Sequence, residues 1–165
     1  MIPTLIKRCG NERNWEDPEG KTVILTNSIL YPCPLYPEYC LVYEDDKYRV
    51  MMRQRFISDG MSVPRLTYTL TGLTPFDQRC LFGGFIHDGL YSSHLLPQYE
   101  ADNILLNILC IEPRPNLAQR QVVYRTLRAV GFIAYNGKSQ AEIDKSCELV
   151  TVIKKQKLQM ETVIA

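Results

Sequence analysis

No stretch of this sequence approaches the run of about 18 apolar residues that a bilayer-spanning helix needs. The N-terminal MIPTLIKRCGNERNWEDPEGK lacks the unbroken apolar core and small-residue cleavage site of a secretory signal. A soluble protein made in a cytoplasm is the expectation. Charge of one sign is missing too. The 19 Lys and Arg residues against 18 Asp and Glu leave a formal charge of +1, so no overall field draws the chain to nucleic acid or anionic lipid, and no nucleic-acid partner is expected. The six cysteines (Cys9, Cys33, Cys40, Cys80, Cys110, Cys147) form no C-x-x-C pair and no zinc-type spacing. They read as reduced thiols or small buried hydrophobes. Cys33 and Cys40 flank P-L-Y-P-E-Y and could approach each other, but the absence of a secretory signal argues against a disulfide. Repeats and low-complexity segments are absent as well. What is present is 165 residues at 45% hydrophobic content, enough for one ordinary core and hence a single domain.

The chain divides by pattern into a β-rich part (21–56), a helical core (74–135) and a C-terminal helix (139–165). Residues 21–30 (KTVILTNSIL) are aliphatic and β-branched and stop at the breaker run Y-P-C-P-L-Y-P, which predicts a strand. Residues 39–43 and 48–56 are again extended in character and flank the polar turn Glu44-Asp45-Asp46-Lys47, which predicts a hairpin. I-S-D-G-M-S-V-P-R then gathers Asp59-Gly60, Ser62 and Pro64 into an ordered loop leading off the sheet.

Thr74-Pro75 is placed as N-cap and first helical position of a helix over about residues 76–92. A second helix follows the H-L-L-P joint, over about 98–110, and stops near Pro113 and Pro115. A third starts from Asn116 as its cap and runs to about 135, with Leu117, Val122-Val123, Leu127 and Val130 as its apolar stripe and Asn136-Gly137 as its end. Ser139 and Glu142 form a capping box for a fourth, carrying Ile143, Cys147, Val150 and Ile153 into a basic tail. The fold class predicted is α+β: a small N-terminal antiparallel sheet followed by a layer of three to four helices.

Chemistry concentrates at the first helix hairpin. In F-I-H-D-G-L-Y, His87 and Tyr91 stand four residues apart and share a face, while Asp88 points about a quarter turn away. In Y-E-A-D, Asp102 lies on the next helix, about as far from the bend as His87. Antiparallel helices joined by a short turn bring such equidistant positions to one height. A carboxylate bonded to one imidazole nitrogen fixes the tautomer and raises the basicity of the other, giving a general-base dyad, with Tyr91 placed to hold Asp102. Asp88 is then available for a cation such as calcium, which needs six or more oxygens; Asp59 and the loops around Gly60 and Gly72 are the candidates to complete the shell. Equally, His87, Asp102 and Tyr91 read as a buried structural network. His94 sits at the bend, read mainly as solvent-facing and, as a lesser alternative, as a metal ligand. Gly83-Gly84 is costly inside a helix and points to close packing or a kink beside the cluster.

Two resemblances meet here. The ordered set D-G-M-S-V-P-R, H-D-G-L-Y, E-A-D-N-I-L-L and Y-R-T-L-R-A-V-G, spread over 23–132, resembles an uncharacterised domain family frequent in tailed phages and prophages. That resemblance implies a phage-encoded protein. H-D-x-x-Y followed by A-D on the next helix is similar to the core of secreted and parvovirus-capsid phospholipases A2, and implies their helix hairpin and their roles: His87 activating water, Asp88 binding calcium, Tyr91 supporting Asp102. The glycine-rich Y-x-G-x-G loop of those enzymes has no counterpart, since T-G-L-T-P stands before His87. The interval from His87 to the second aspartate is shorter than in the viral enzymes, and the disulfide framework of the secreted ones is missing.

Two functions follow as expectations. One is a calcium-dependent, phospholipase-A2-like ester hydrolase, with His87, Asp102 and Tyr91 catalytic, Asp88 and Asp59 on the metal, and host membrane lipid as partner. The other is a non-enzymatic virion structural or accessory protein of the tail, neck or baseplate, partnered by other phage virion proteins. Both place the chain in the host cytoplasm on synthesis and allow later assembly into the virion. A zinc site on His87, Asp88 and Asp102 is weaker, with a single well-placed histidine.

Overall fold

The protein is described by a computed structural model over residues 15–16, 23–25, 39, 41–53, 55–61, 63–74, 77–111 and 114–155. In chain order it forms β1 (Trp15–Glu16), β2 (Val23–Leu25), β3 (Leu41–Glu44), β4 (Tyr48–Met52), β5 (Ile57–Ser58), α1 (Arg65–Thr71), α2 (Gln78–Ser93), α3 (Gln98–Leu109), α4 (Leu117–Asn136), α5 (Gln140–Leu149) and β6 (Val150–Lys154). The class is α+β, as the pattern predicted.

The β3–β4 hairpin forms where expected. Asp45 closes it: one carboxylate oxygen accepts the Lys47 and Tyr48 amides, each at 2.7 Å, and the other accepts the Tyr43 hydroxyl at 2.6 Å. The far edge of β4 is covered by β6, antiparallel, with Met52 opposite Val150 and Tyr48 opposite Lys154. This corrects the predicted fourth helix. Ser139 and Glu142 do form the capping box that starts α5, but the helix stops at Leu149 and Val150 turns extended at φ −120°. Val150-Thr151-Val152-Ile153 is a run of β-branched side chains whose χ1 is crowded in a helix and at ease in a sheet. The small sheet is therefore closed by the C-terminal segment.

The expected strand over 21–30 is met by β2, which pairs antiparallel with both β1 and β5. The predicted D-G loop begins in β5 and leads into α1, a helix absent from the sequence reading. Its R-L-T-Y-T-L-T composition has weak intrinsic propensity. Packing against α4 supplies what propensity does not. The start of α2 is also corrected: its N-cap is Asp77, not Thr74. Asp77 accepts the Arg79 amide at 2.9 Å and holds the Arg79 guanidinium through both carboxylate oxygens. α3 begins after Pro97, and α4 carries a full capping box of Asn116 with Gln119 and runs to Asn136.

α2 is the central element, packed against α3, α4, α5, β4, β5 and β6. A helix surrounded in this way buries apolar side chains on several sides, and Leu81, Phe85, Ile86 and Leu90 are all buried. With Tyr43, Val50, Met52 and Ile104 they form the main core; Leu73, Leu105, Leu109, Val123 and Leu127 form a second cluster between α1, α3 and α4. Each such side chain contributes roughly 1.5–3 kcal/mol when fully buried. Gly83 and Gly84 serve close packing, as predicted. A Cβ on Gly84 would stand 2.7 Å from the backbone carbon of Gly60, so the D-G loop lies directly on α2. Among the described residues no helix is long and apolar enough to cross a membrane.

Candidate functional site

Helical periodicity and the short α2–α3 turn deliver the cluster the spacing predicted. His87 Nε2 stands 3.0 Å from one oxygen of Asp102, and the Tyr91 hydroxyl donates to that same oxygen at 2.6 Å. The His87 and Tyr91 rings lie 4.0 Å apart, tilted by 38°. Asp102 is fully buried, and His87 and Tyr91 are each 5% exposed.

A third donor was not foreseen. Arg128 on α4 reaches the second oxygen of Asp102 at 3.0 Å. Burial alone would raise the Asp102 pKa, but the bonds from His87, Tyr91 and Arg128 outweigh it and hold the carboxyl below its ordinary value. Arg128 lies in Y-R-T-L-R-A-V-G, a segment that also carries Gly131 but holds no local sign of either contact. A Cβ at Gly131 would meet the Tyr91 hydroxyl at 2.6 Å, so this glycine is what lets α4 approach the network. Tyr91 is itself raised in pKa, to a value beyond the usual phenol range, by burial first and by Asp102 next. It remains a hydroxyl donor at every ordinary pH.

Asp88, as its quarter-turn offset predicts, leaves this network and faces the D-G loop. Its carboxylate accepts the Ser58 hydroxyl at 2.5 Å, and the Gly60 amide donates to the same Ser58 oxygen at 3.0 Å. Desolvation and then the charge of Asp59 push the Asp88 pKa well above the carboxylate norm. Asp59 is thus brought to Asp88. Gly72 is not: it is the left-handed C-cap of α1, at φ 65°. Ser58, 2% exposed, was the residue missed on this side, although it immediately precedes Asp59.

An open cleft of about 410 Å³ reaches this side of the cluster. Ser58, Asp59, Asp88 and Tyr91 form one part of its lining, Phe56, Ile57 and Leu149 an apolar part, and Lys138 and Lys145 a basic part. His87 and Asp102 stand behind Tyr91. His94 is corrected from the solvent-facing position expected. It is half-buried at φ 52°, its Nε2 lies 2.8 Å from the Tyr135 carbonyl, and its ring stacks on Tyr135 at 4.1 Å, pinning the α2–α3 bend to the end of α4. Cys80, Cys110 and Cys147 are free thiols, with Cys80 pushed up to about 12 by burial; Cys9, Cys33 and Cys40 lie outside the described residues. Among the described residues no group of three or more His, Cys, Asp or Glu side chains is placed to hold a metal. Any cation at Asp88 and Asp59 would therefore draw further oxygens from Ser58, backbone or water.

No curated protein and no solved structure matches the chain. Residues 38–127 match the family described as "Protein of unknown function (DUF1353)". That span holds Asp59, His87, Asp88, Tyr91 and Asp102 and ends one residue before Arg128. It takes in more than half of the sequence, and the chain belongs to this family.

Proposed function

We propose that this is a phage-encoded, phospholipase-A2-like ester hydrolase acting on host membrane lipid. The observation that carries the reading is the shared Asp102 oxygen, 3.0 Å from His87 Nε2 and 2.6 Å from the Tyr91 hydroxyl. With Nε2 committed to Asp102, Nδ1 is the nitrogen left to take a proton from water, and the anionic Asp102 stabilises the imidazolium that results. Tyr91 and Arg128 hold the carboxylate still.

The residues on the Asp88 side fit a hard divalent cation such as calcium. Two carboxylates oppose each other's ionisation there, beside a serine hydroxyl, and a cation relieves that opposition. When bound, such an ion polarises an ester carbonyl. The cleft suits an anionic amphiphile, with Phe56, Ile57 and Leu149 for an acyl portion and Lys138 and Lys145 for an acidic one.

The test is fatty-acid release from anionic phospholipid vesicles by the purified full-length chain with calcium. Release is expected, falling about 10²-fold or more in His87→Gln while the circular dichroism spectrum stays unchanged. No release by the wild-type chain at any calcium concentration sinks the proposal. A second reading has its own support: His87 and Asp102 do not line the cleft, and Arg128 already satisfies the second Asp102 oxygen. These favour an architectural cluster in a virion structural or accessory protein. That reading predicts stoichiometric recovery of the chain from purified virions, with no turnover.

A further inference from the structure

A separate cavity of about 470 Å³ lies at the N-terminal end of α4 and shares no residue with the cleft at Asp88 or with the Asp102 network. Three arginines line it, Arg79 from α2, Arg114 from the segment before α4, and Arg120 from the first turn of α4. Asp77, by gripping Arg79 through both oxygens at 2.9 and 2.7 Å, fixes the plane of its guanidinium. Arg120 is held differently: it is half-buried, and its Nε is packed out of solvent without a hydrogen-bond partner, so packing holds the stem of this guanidinium at the cavity wall. A wall of three guanidiniums, two of them held in place by an ion pair and by packing, is the pattern of a site whose partner is an anion.

The remaining wall narrows the chemistry. Asn116 and Gln119 are committed to the fold, since each caps the other and Gln119 Nε2 also donates to the Thr71 carbonyl at 2.7 Å. Recognition therefore falls to the guanidiniums, with the positive end of the 20-residue α4 adding to their field. Among the described residues no aromatic ring lines the cavity to stack a base, and Leu117 is the one large aliphatic side chain there. What the wall can read is the charged group itself. Guanidinium forks bind phosphate oxygens in pairs, and several forks together suit a tetrahedral dianion better than a flat carboxylate, which two forks already saturate.

We propose that this cavity is a binding site for phosphate groups, of a small diphosphate or of a phosphomonoester headgroup at a lipid surface. It stands independently of the hydrolytic reading. The test is titration calorimetry of the full-length chain with inorganic pyrophosphate at two salt concentrations, alongside co-sedimentation with phosphatidate vesicles and with neutral phosphatidylcholine vesicles. Saturable 1:1 pyrophosphate binding is expected, weakening as salt rises and falling at least tenfold in Arg120→Gln. Arg79→Gln supplies a second lesion should the first variant fail to fold. Arg125→Gln, the same charge change on an exposed residue of α4 outside the cavity, should leave binding within twofold. Sedimentation with phosphatidate vesicles that is lost in the same cavity variants assigns the headgroup as the source. Pyrophosphate binding without sedimentation assigns a free small molecule. Absence of saturable binding in both assays, or an equal loss in Arg125→Gln, overturns the site.

Discussion

Asp102 and Asp88 sit on neighbouring helices in one polar region, yet their carboxylates experience opposite fields. Asp102 is sealed from water, but His87, Tyr91 and Arg128 converge on it and hold it ionised. Asp88 borders an open cleft, but it has a serine hydroxyl as donor and a second carboxylate as neighbour, and its proton is held more tightly than usual. Burial raises both; at Asp102 three donors overcome it, whereas at Asp88 the charge of Asp59 adds to it. One carboxylate is a fixed anion supplied with donors, the other a carboxyl whose ionisation burial and Asp59 oppose. The proposed function uses the first to orient an imidazole and the second to accept a cation.

The largest way to break this contrast is to remove the Asp102 charge. Asp102→Asn strands Arg128 and His87 and should cost about 3 kcal/mol in urea unfolding at neutral pH. Because the folded pKa of Asp102 is depressed, its contribution is present above the unfolded value of about 3.9 and lost as pH falls through the lower folded value. The stability gap between wild type and Asp102→Asn should therefore narrow in acid. An unchanged gap down to pH 2 would show that the carboxylate charge is not what holds the network.

Next in size is the support of the Asp88 side. Gly84→Ala drives a Cβ into the Gly60 and Met61 backbone, which cannot yield as a side chain can. A loss of about 2–3 kcal/mol is expected, with the D-G loop losing hydrogen-exchange protection first. Gly131→Ala displaces the Tyr91 hydroxyl and should cost about 1–2 kcal/mol by the same measure. The smallest effect has the opposite sign. Asp88→Asn removes a like-charge opposition, so without calcium it should raise the unfolding free energy by about 0.5–1 kcal/mol. Destabilisation in that variant would contradict the picture of Asp88 as an electrostatically unfavourable carboxylate.

The sequence was most legible where local geometry is rigid. His87 to Tyr91 is one helical turn, and a short bend fixes the height of Asp102, so the triad could be assembled from spacing alone. The capping residues of α4 and α5 were readable because side chain and amide lie within three residues of each other. Contacts made between distant segments were not. Nothing local to Arg128 says that it will reach Asp102 from α4, and nothing local to Gly131 says that a tyrosine hydroxyl will fill its empty Cβ position. Val150-Thr151-Val152-Ile153 did carry its β-branched signal, but the capping box upstream suggested one continuous helix. α1 was invisible because tertiary packing, not propensity, makes it.

On the proposed function Asp88, and not Asp102, holds a cation, and calcium titration calorimetry on three proteins measures that directly. The wild-type chain is predicted to bind one calcium ion, Asp88→Asn to weaken that binding at least tenfold, and Asp102→Asn, where it remains folded, to keep it. No calcium binding by the wild-type chain, or binding that survives Asp88→Asn unchanged, would contradict the account.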